Sequence, residues 1–274
     1  MAADRNPGQA QRPSVAWRTL CVFTALVFVF LLAPIAVIVV EAFDASDYMA
    51  FPPRQLSLRW FHAFFQNAEF MSALKVSTQI GLSAAAISTL IGVAAALVLA
   101  RKEPGHATLE TYLLAPLYVP RILIGLALLL AFARLNMSGS FTGLLLGHVL
   151  ITFPYTVRTV LVGLNAVDPS VKEAARMLGA TRWQVFLRVI APLTKGAILA
   201  GFTFALIVSF SDVYLAMFIS GPQTTTLPMR LFSFMEWDQS PLVAAASAIQ
   251  IVLIVAVVVA TTRISGFKSP GRVD

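Results

Sequence analysis

The stretch Asp168-Pro169-Ser170-Val171-Lys172-Glu173-Ala174-Ala175-Arg176-Met177-Leu178-Gly179 carries the signals from which the rest of the chain can be read. Asp168 suits a helix N-cap, with Pro169 at the first helical position, where a missing N–H costs nothing. Ser170 and Glu173 offer an alternative start, a Ser-x-x-Glu capping box. Val171, Ala174, Ala175 and Leu178 recur at helical spacing and form one face. Gly179 stands where a left-handed C-terminal cap is expected. Thr181-Arg182-Trp183-Gln184 then opens a second helix with its own capping box, and Trp183, Phe186, Leu187 and Ile190 make its apolar face. Pro192 and Gly196 separate this pair from the apolar run that follows. Two helices this short cannot hide their apolar faces on each other alone. They need a bundle on one side. On the other, spacing leaves open a membrane surface or a second protein.

Outward from this loop the chain is apolar. Of 274 residues, 58% are hydrophobic and 12% charged, about half the charged fraction of a soluble domain. That much apolar surface calls for lipid. Six spans are expected, at about 17–40, 71–100, 109–132, 141–164, 196–219 and 242–262, within a permease domain of residues 17–264. The polar segments 1–16 and 265–274 are expected to be tails. The first run is too long for a signal-peptide core and has no evident cleavage site, so it is expected to be retained, with Pro34 inside it. Trp60, Phe61, Phe64 and Phe65 suit a helix lying at the interface before the second span. Residues 165–194 form the loop quoted above.

An even number of spans places both termini on one side. With termini inside, inner segments hold Arg5, Arg12, Arg18, Arg101, Lys102, Lys172, Arg176, Arg182, Arg188, Lys195, Arg263, Lys268 and Arg272, against Arg54, Arg59, Arg134 and Arg230 outside. The asymmetry predicts cytoplasmic termini in a multi-pass bacterial inner-membrane protein. The net charge of +7 is then a property of cytoplasmic loops. No soluble basic face or nucleic-acid motif accompanies it.

Several chemistries are excluded. Cys21 is the sole cysteine, and His62, His106 and His148 are scattered, so no zinc spacing exists and no metal is expected. Gly266-Phe267-Lys268-Ser269 lacks the upstream glycine of a phosphate-binding loop. No cofactor of the chain's own is therefore expected, and no catalysis. If ATP drives it, another chain binds the ATP. A secondary transporter, the competing reading, more often shows repeated halves and intramembrane ion ligands, and neither is evident. A membrane enzyme would need clustered catalytic groups.

Glu173-Ala174-Ala175, three residues, Gly179, then Val189 and Pro192 resemble the EAA loop of permease subunits of ATP-binding-cassette (ABC) importers. Ala191 stands where leucine is usual. Residues from about Leu56 to Ile264 resemble the binding-protein-dependent permeases with the MetI-like fold. The resemblance implies an all-α polytopic fold of six transmembrane helices. It also implies that the first short helix is a coupling helix fitting a groove on an ATP-binding subunit. Glu173 would face that groove, Ala174 and Ala175 would permit close approach, Gly179 would permit the turn, and Pro192 would end the motif. The implied partners are a pair of ABC ATP-binding subunits, a periplasmic substrate-binding protein and a second permease chain. A heterodimer is favoured, as in the polyamine-type subgroup, although the family also forms homodimers.

A charge inside a membrane defaults to a functional hypothesis. Asp212, in Ser209-Phe210-Ser211-Asp212-Val213-Tyr214, is the candidate, and Ser209, Ser211 and Tyr214 complete a candidate substrate path. An anionic, hydroxyl-lined position suits a cation. Asp212 can equally pair with Arg121 or Lys75 inside the bundle. Val208-Ser209-Phe210, Phe218-Ile219-Ser220-Gly221-Pro222, Leu227-Pro228-Met229 and Ser240-Pro241 with Ala244-Ala245 resemble the spermidine/putrescine-type subgroup. That subgroup often carries two adjacent acids, and here Ser211 replaces the first. The resemblance implies import of a polyamine-like or other small organic solute.

Overall fold

The computed structural model describes residues 15–238 and 240–266. Most of the expected tails 1–16 and 265–274 lies outside the described residues, while residues 15, 16 and 265 are helical. The elements in chain order are α1 (Val15–Glu41), α2 (Arg59–Gln66), α3 (Ala68–Leu99), α4 (His106–Leu114), a 3₁₀ turn (Ala115–Leu117), α5 (Arg121–Arg134) and α6 (Phe141–Asn165). Then come α7 (Pro169–Met177), α8 (Arg182–Val185), a π turn (Phe186–Ile190), α9 (Ala191–Leu193), α10 (Lys195–Phe210), α11 (Tyr214–Ile219), α12 (Leu227–Met235) and α13 (Leu242–Ser265). Among the described residues there is no strand, only an isolated bridge between Asp44 and Leu56.

Four helices, α1, α3, α6 and α13, are long and apolar enough to cross a membrane, and two bent pairs raise the number to at most six. The 27 residues of α1 extend about 40 Å, more than the ~30 Å hydrocarbon core. Its most apolar stretch is buried nowhere against the rest of the chain. A helix apolar on every side and exposed on every side belongs in lipid or against another membrane helix.

The centre is built by α3, α6 and α10. Small residues let them approach closely, the usual device where lipid removes the hydrophobic drive for helix association. A methyl group on Gly92 of α3 would sit 2.8 Å from the Thr156 side chain of α6, and one on Gly201 of α10 would sit 3.1 Å from it. Across α3 and α6, Ser88 Oγ and Thr152 Oγ1 share a hydrogen bond of 2.7 Å.

Two crossings depart from the expectation of continuous spans. The segment expected to cross at 109–132 is broken: the first part, ending at Leu117, meets α5 at 93°. Pro116 and Pro120 explain the break, since each lacks an N–H and its ring clashes with a preceding helical turn. Only the 14 residues of α5, about 21 Å, run along the bundle there. The crossing expected at 196–219 stops at Phe210, is open at Ser211-Asp212-Val213, and resumes as α11. At its other end, the segment Arg182–Leu193 meets α10 at 72°.

The end of the bundle opposite α7–α9 is closed by α12 and loops. Ser77 Oγ accepts the Leu227 N–H at 2.7 Å, Arg230 pairs with Glu69 at 3.0 Å, and Thr224 Oγ1 donates to the Gly139 carbonyl at 3.0 Å. At the same end α2 is held by Arg59, which pairs with Asp47 and stacks 4.4 Å over Trp60. The Ser46 hydroxyl and amide hold the Asp44 carboxyl below the usual carboxylate range.

Candidate functional site

Two regions hold the residues expected to act. The first is the helix pair. Asp168 Oδ1 accepts the Ser170 N–H at 2.9 Å, so of the two possible starts the structure uses Asp168, and the Ser170–Glu173 box does not form. The Ser170 amide bond depresses the Asp168 pKa. Glu173 is left exposed, without a hydrogen bond or ion pair among the described residues. At the other end, Gly179 has φ +82°. Its N–H donates to the Arg176 carbonyl at 2.9 Å, and the Ala180 N–H reaches the Ala175 carbonyl at 3.1 Å. This double closure is the Schellman motif, and only glycine adopts that φ without strain. The expected Thr181–Gln184 box is present, with both reciprocal bonds made.

No residue of α7 is buried. Ala174 is exposed and Ala175 half-buried. Met177 is 84% and Leu178 89% exposed. The face predicted to turn inward thus remains open at Val171, Ala174 and Leu178, and only Ala175 packs on the bundle-side cluster. Val185 and Ile190 are buried among Ala96, Leu99, Leu161 and Leu164, so the second helix anchors the pair while the first projects. Pro192 follows the π turn. Its missing N–H removes one α-type bond just where the helix widens.

The second region is where the two broken segments meet. Arg121 opens α5 and Asp212 lies in the gap between α10 and α11, and their side chains pair at 3.3 Å. Arg121 Nη2 also lies 3.3 Å from the Tyr155 hydroxyl of α6. Asp212 Oδ2 accepts the N–H of Leu215 at 2.9 Å and of Ala216 at 3.4 Å, capping α11. The Asp212 side chain is fully buried, whereas that of Arg121 is about one-third exposed. Gly125 lets α5 and α11 close up, since a methyl group there would sit 2.8 Å from Phe218. Next to this junction, Ser209 Oγ bonds His148 Nδ1 at 2.8 Å, and both residues are buried.

The four residues of the expected path therefore divide. Ser209 and Asp212 turn inward and hold neighbouring elements. Ser211 and Tyr214 face outward, Ser211 bonded to the Ile207 carbonyl at 2.8 Å and Tyr214 58% exposed. Arg121 and Tyr155 complete the junction. The sequence offers Arg121 as one of two possible partners of Asp212; the further sign of its role is a cation directly after Pro120 in an apolar run.

Residues 88–266 match the family described as the binding-protein-dependent transport system inner membrane component. The spermidine/putrescine transport system permease protein PotC of Haemophilus influenzae is 31% identical over 244 residues, which is 89% of this chain and 95% of that one. The putrescine transport system permease protein PotI of Escherichia coli K12 is 33% identical over 241 residues, 85% of each chain. Among solved structures, a bacterial alginate ABC transporter chain aligns with TM-score 0.71 at 14% identity, covering 92% of this chain and 93% of that one. The MetNI methionine ABC transporter aligns with TM-score 0.60 at 17% identity, covering 73% and 98%. These two likenesses concern the fold.

Proposed function

The chain belongs to the family of binding-protein-dependent transport system inner membrane components and is an ABC importer permease for a small solute, and from that premise we propose how its parts act. It crosses the inner membrane six times with both termini in the cytoplasm, which puts α7–α9 on the cytoplasmic side, in keeping with the excess of Arg and Lys at that end. There α7 is the coupling helix. Glu173 and Ala174 enter a groove on an ATP-binding subunit, Ala175 seats the helix on the bundle so that it can approach closely, Gly179 fixes the turn, and Pro192 marks where the second helix passes to the bundle. The observation that carries this is the open state of α7: a helix closed at both ends by its own caps, with Met177 and Leu178 almost wholly exposed. Such a rigid projection transmits the closure of a motor to the bundle. ATP is bound and hydrolysed by that partner pair, and this chain needs no cofactor.

A second permease, of different sequence, supplies the other half of the path, and a periplasmic binding protein delivers the solute. Ser211 and Tyr214 border the path, supported from behind by Asp212 and Ser209. The solute is a small organic cation of the polyamine class, as the names of PotC and PotI suggest. Asp212 is already neutralised by Arg121, so contact in the path rests on the aromatic face of Tyr214 and the Ser211 hydroxyl, and selection falls to the binding protein. A secondary transporter would leave α7 without a task.

The test is co-purification of the ATP-binding subunit with the membrane-extracted complex. Glu173→Ala and Gly179→Asp are expected to lose the subunit while the permease pair stays assembled. Undiminished co-purification and transport in both variants would remove α7 from the coupling role. Tyr214→Ala is expected to slow uptake of putrescine without affecting assembly.

A further inference from the structure

Beneath α7, along its Lys172–Arg176 stripe, lies a cleft of about 700 Å³ between the helix pair and the ends of α3 and α6. Its cations come from three elements: Arg101 after α3, Lys172 and Arg176 on α7, and Arg182 on α8. None of the four has an ion pair among the described residues. One carboxylate also lines the cleft, that of Glu103, 3.9 Å from His106 Nε2, so four cations stand against a single anion. The deeper wall is apolar, with Leu97, Leu164, Phe186 and Ile190. Trp183, 67% exposed, stands at the cleft as well.

Lys172 and Arg176 are four residues apart and share a stripe of α7, while Glu173 and Met177 form the neighbouring stripe about 100° away. The helix therefore presents one stripe to the cleft and another outward. Four unpaired cations around one cavity repel one another, and an anion relieves this. The apolar wall continues the membrane-embedded surfaces of α3 and α6, so the same occupant must also satisfy hydrocarbon contacts. Basic pockets at the cytoplasmic ends of membrane helices take phospholipid headgroups on these grounds, with an aromatic ring at headgroup level.

We propose that this cleft is a binding site for an anionic phospholipid of the inner leaflet. Its phosphate sits among Arg101, Lys172, Arg176 and Arg182, and its acyl chains lie along Leu97, Leu164 and Phe186. Because two of the cations are on α7, the lipid props the coupling helix from below, and its occupancy sets how firmly α7 projects. The inference rests on the reading that α7 lies at the cytoplasmic surface, but not on which ATP-binding subunit docks there.

The test uses the whole transporter in nanodiscs of phosphatidylethanolamine and phosphatidylglycerol, then native mass spectrometry after mild extraction. The wild type is expected to retain phosphatidylglycerol in preference to phosphatidylethanolamine. Arg101→Gln with Arg182→Gln is expected to retain about tenfold less, and Arg101→Lys with Arg182→Lys to keep most of it. Co-purification of the ATP-binding subunit, read in the same samples, keeps the two proposals apart. Loss of that subunit from the glutamine variant with lipid retention unchanged means the cations meet acidic groups of the motor, and the lipid site is overturned. Displacement of the retained lipid signal by millimolar inorganic phosphate alone would show a free-anion site and likewise overturn it. A second measurement needs no charge variant. Brominated phosphatidylglycerol should quench a fluorescence component that Trp183→Phe removes, and brominated phosphatidylcholine should not. Equal quenching by both lipids contradicts a charge-selected site.

Discussion

The helix pair and the junction of the broken segments are built on opposite principles. In α7 each end is closed by residues within four positions of it: Asp168 with Ser170 at the start, Gly179 and Ala180 with Arg176 and Ala175 at the finish. Nothing in α7 is buried. At the junction, the bonds run between residues far apart in sequence: Arg121 to Asp212, Arg121 to Tyr155, His148 to Ser209. A part proposed to dock on a separate motor must hold its shape before the partner arrives, so local closure suits that role. A junction between broken apolar segments must hold open backbone in a low-dielectric interior, where each freed amide needs a partner. The buried carboxylate of Asp212 supplies two of those partners and is itself neutralised by Arg121.

The contrast can be broken most strongly at the junction. Arg121→Ala leaves the buried Asp212 carboxylate without its counter-ion and is expected to destabilise the assembled permease by about 3 kcal/mol. Arg121→Met combined with Asp212→Asn keeps an acceptor for the Leu215 and Ala216 amides without a charge, and should restore most of that loss. Thermal unfolding of the complex in nanodiscs measures both. If the single and double variants are equally unstable, the pair is not what holds the break. A smaller loss, about 2 kcal/mol, is expected for Gly92→Val, which forces a side chain against Thr156 in the α3–α6 contact. It should lower the same midpoint and leave α7 protection in hydrogen exchange unchanged.

At the helix pair the effects are local and smaller. Gly179→Ala must take a positive φ with a β-carbon, at about 1 kcal/mol, and Gly179→Asn less. Space does not limit either, since no atom lies within 4 Å of an added methyl. Both should raise hydrogen exchange in α7 and leave the global midpoint in place. A shift of that midpoint by either variant would erase the distinction drawn above. The smallest effect concerns pH. Asp168 has a folded pKa below its ordinary 3.8, so the unfolded chain holds its proton more tightly. Its contribution to α7 is complete above that ordinary value and is lost as pH falls through the depressed one. Asp168→Asn should remove this acid-side change in α7 helicity and leave neutral-pH helicity nearly unaltered.

Much of the loop at 165–194 was legible beforehand because its signals are short-range. The Thr181–Gln184 box and the Gly179 cap each depend on residues within one or two turns. The choice between Asp168 and Ser170 as the cap was not legible, because both satisfy the same spacing and only the backbone angle at Asp168 decides. The inward face read from Val171, Ala174, Ala175 and Leu178 was also misleading. Periodicity marks a face as apolar but does not say what covers it, and here most of it is open.

For the bundle, hydropathy located apolar segments but not their breaks. Pro116 and Pro120 were visible at 109–132, yet proline alone does not distinguish a kink from a 93° turn; the angle follows from α4 packing against α3 and α6. The gap at Ser211–Val213 has no proline or glycine to announce it. It persists because Asp212 finds Arg121 and the α11 amides, an arrangement that exists only when α5 and α11 are side by side.

What the sequence determined on its own is the membrane character, the family and the two-helix loop, since composition, a spaced motif and local caps each act over a few residues at a time. The partner of Asp212, the breaks in two apolar segments and the cation-lined cleft beneath α7 were decided by tertiary structure. Each depends on groups from separate helices whose meeting is set by packing, and no window along the chain contains them together.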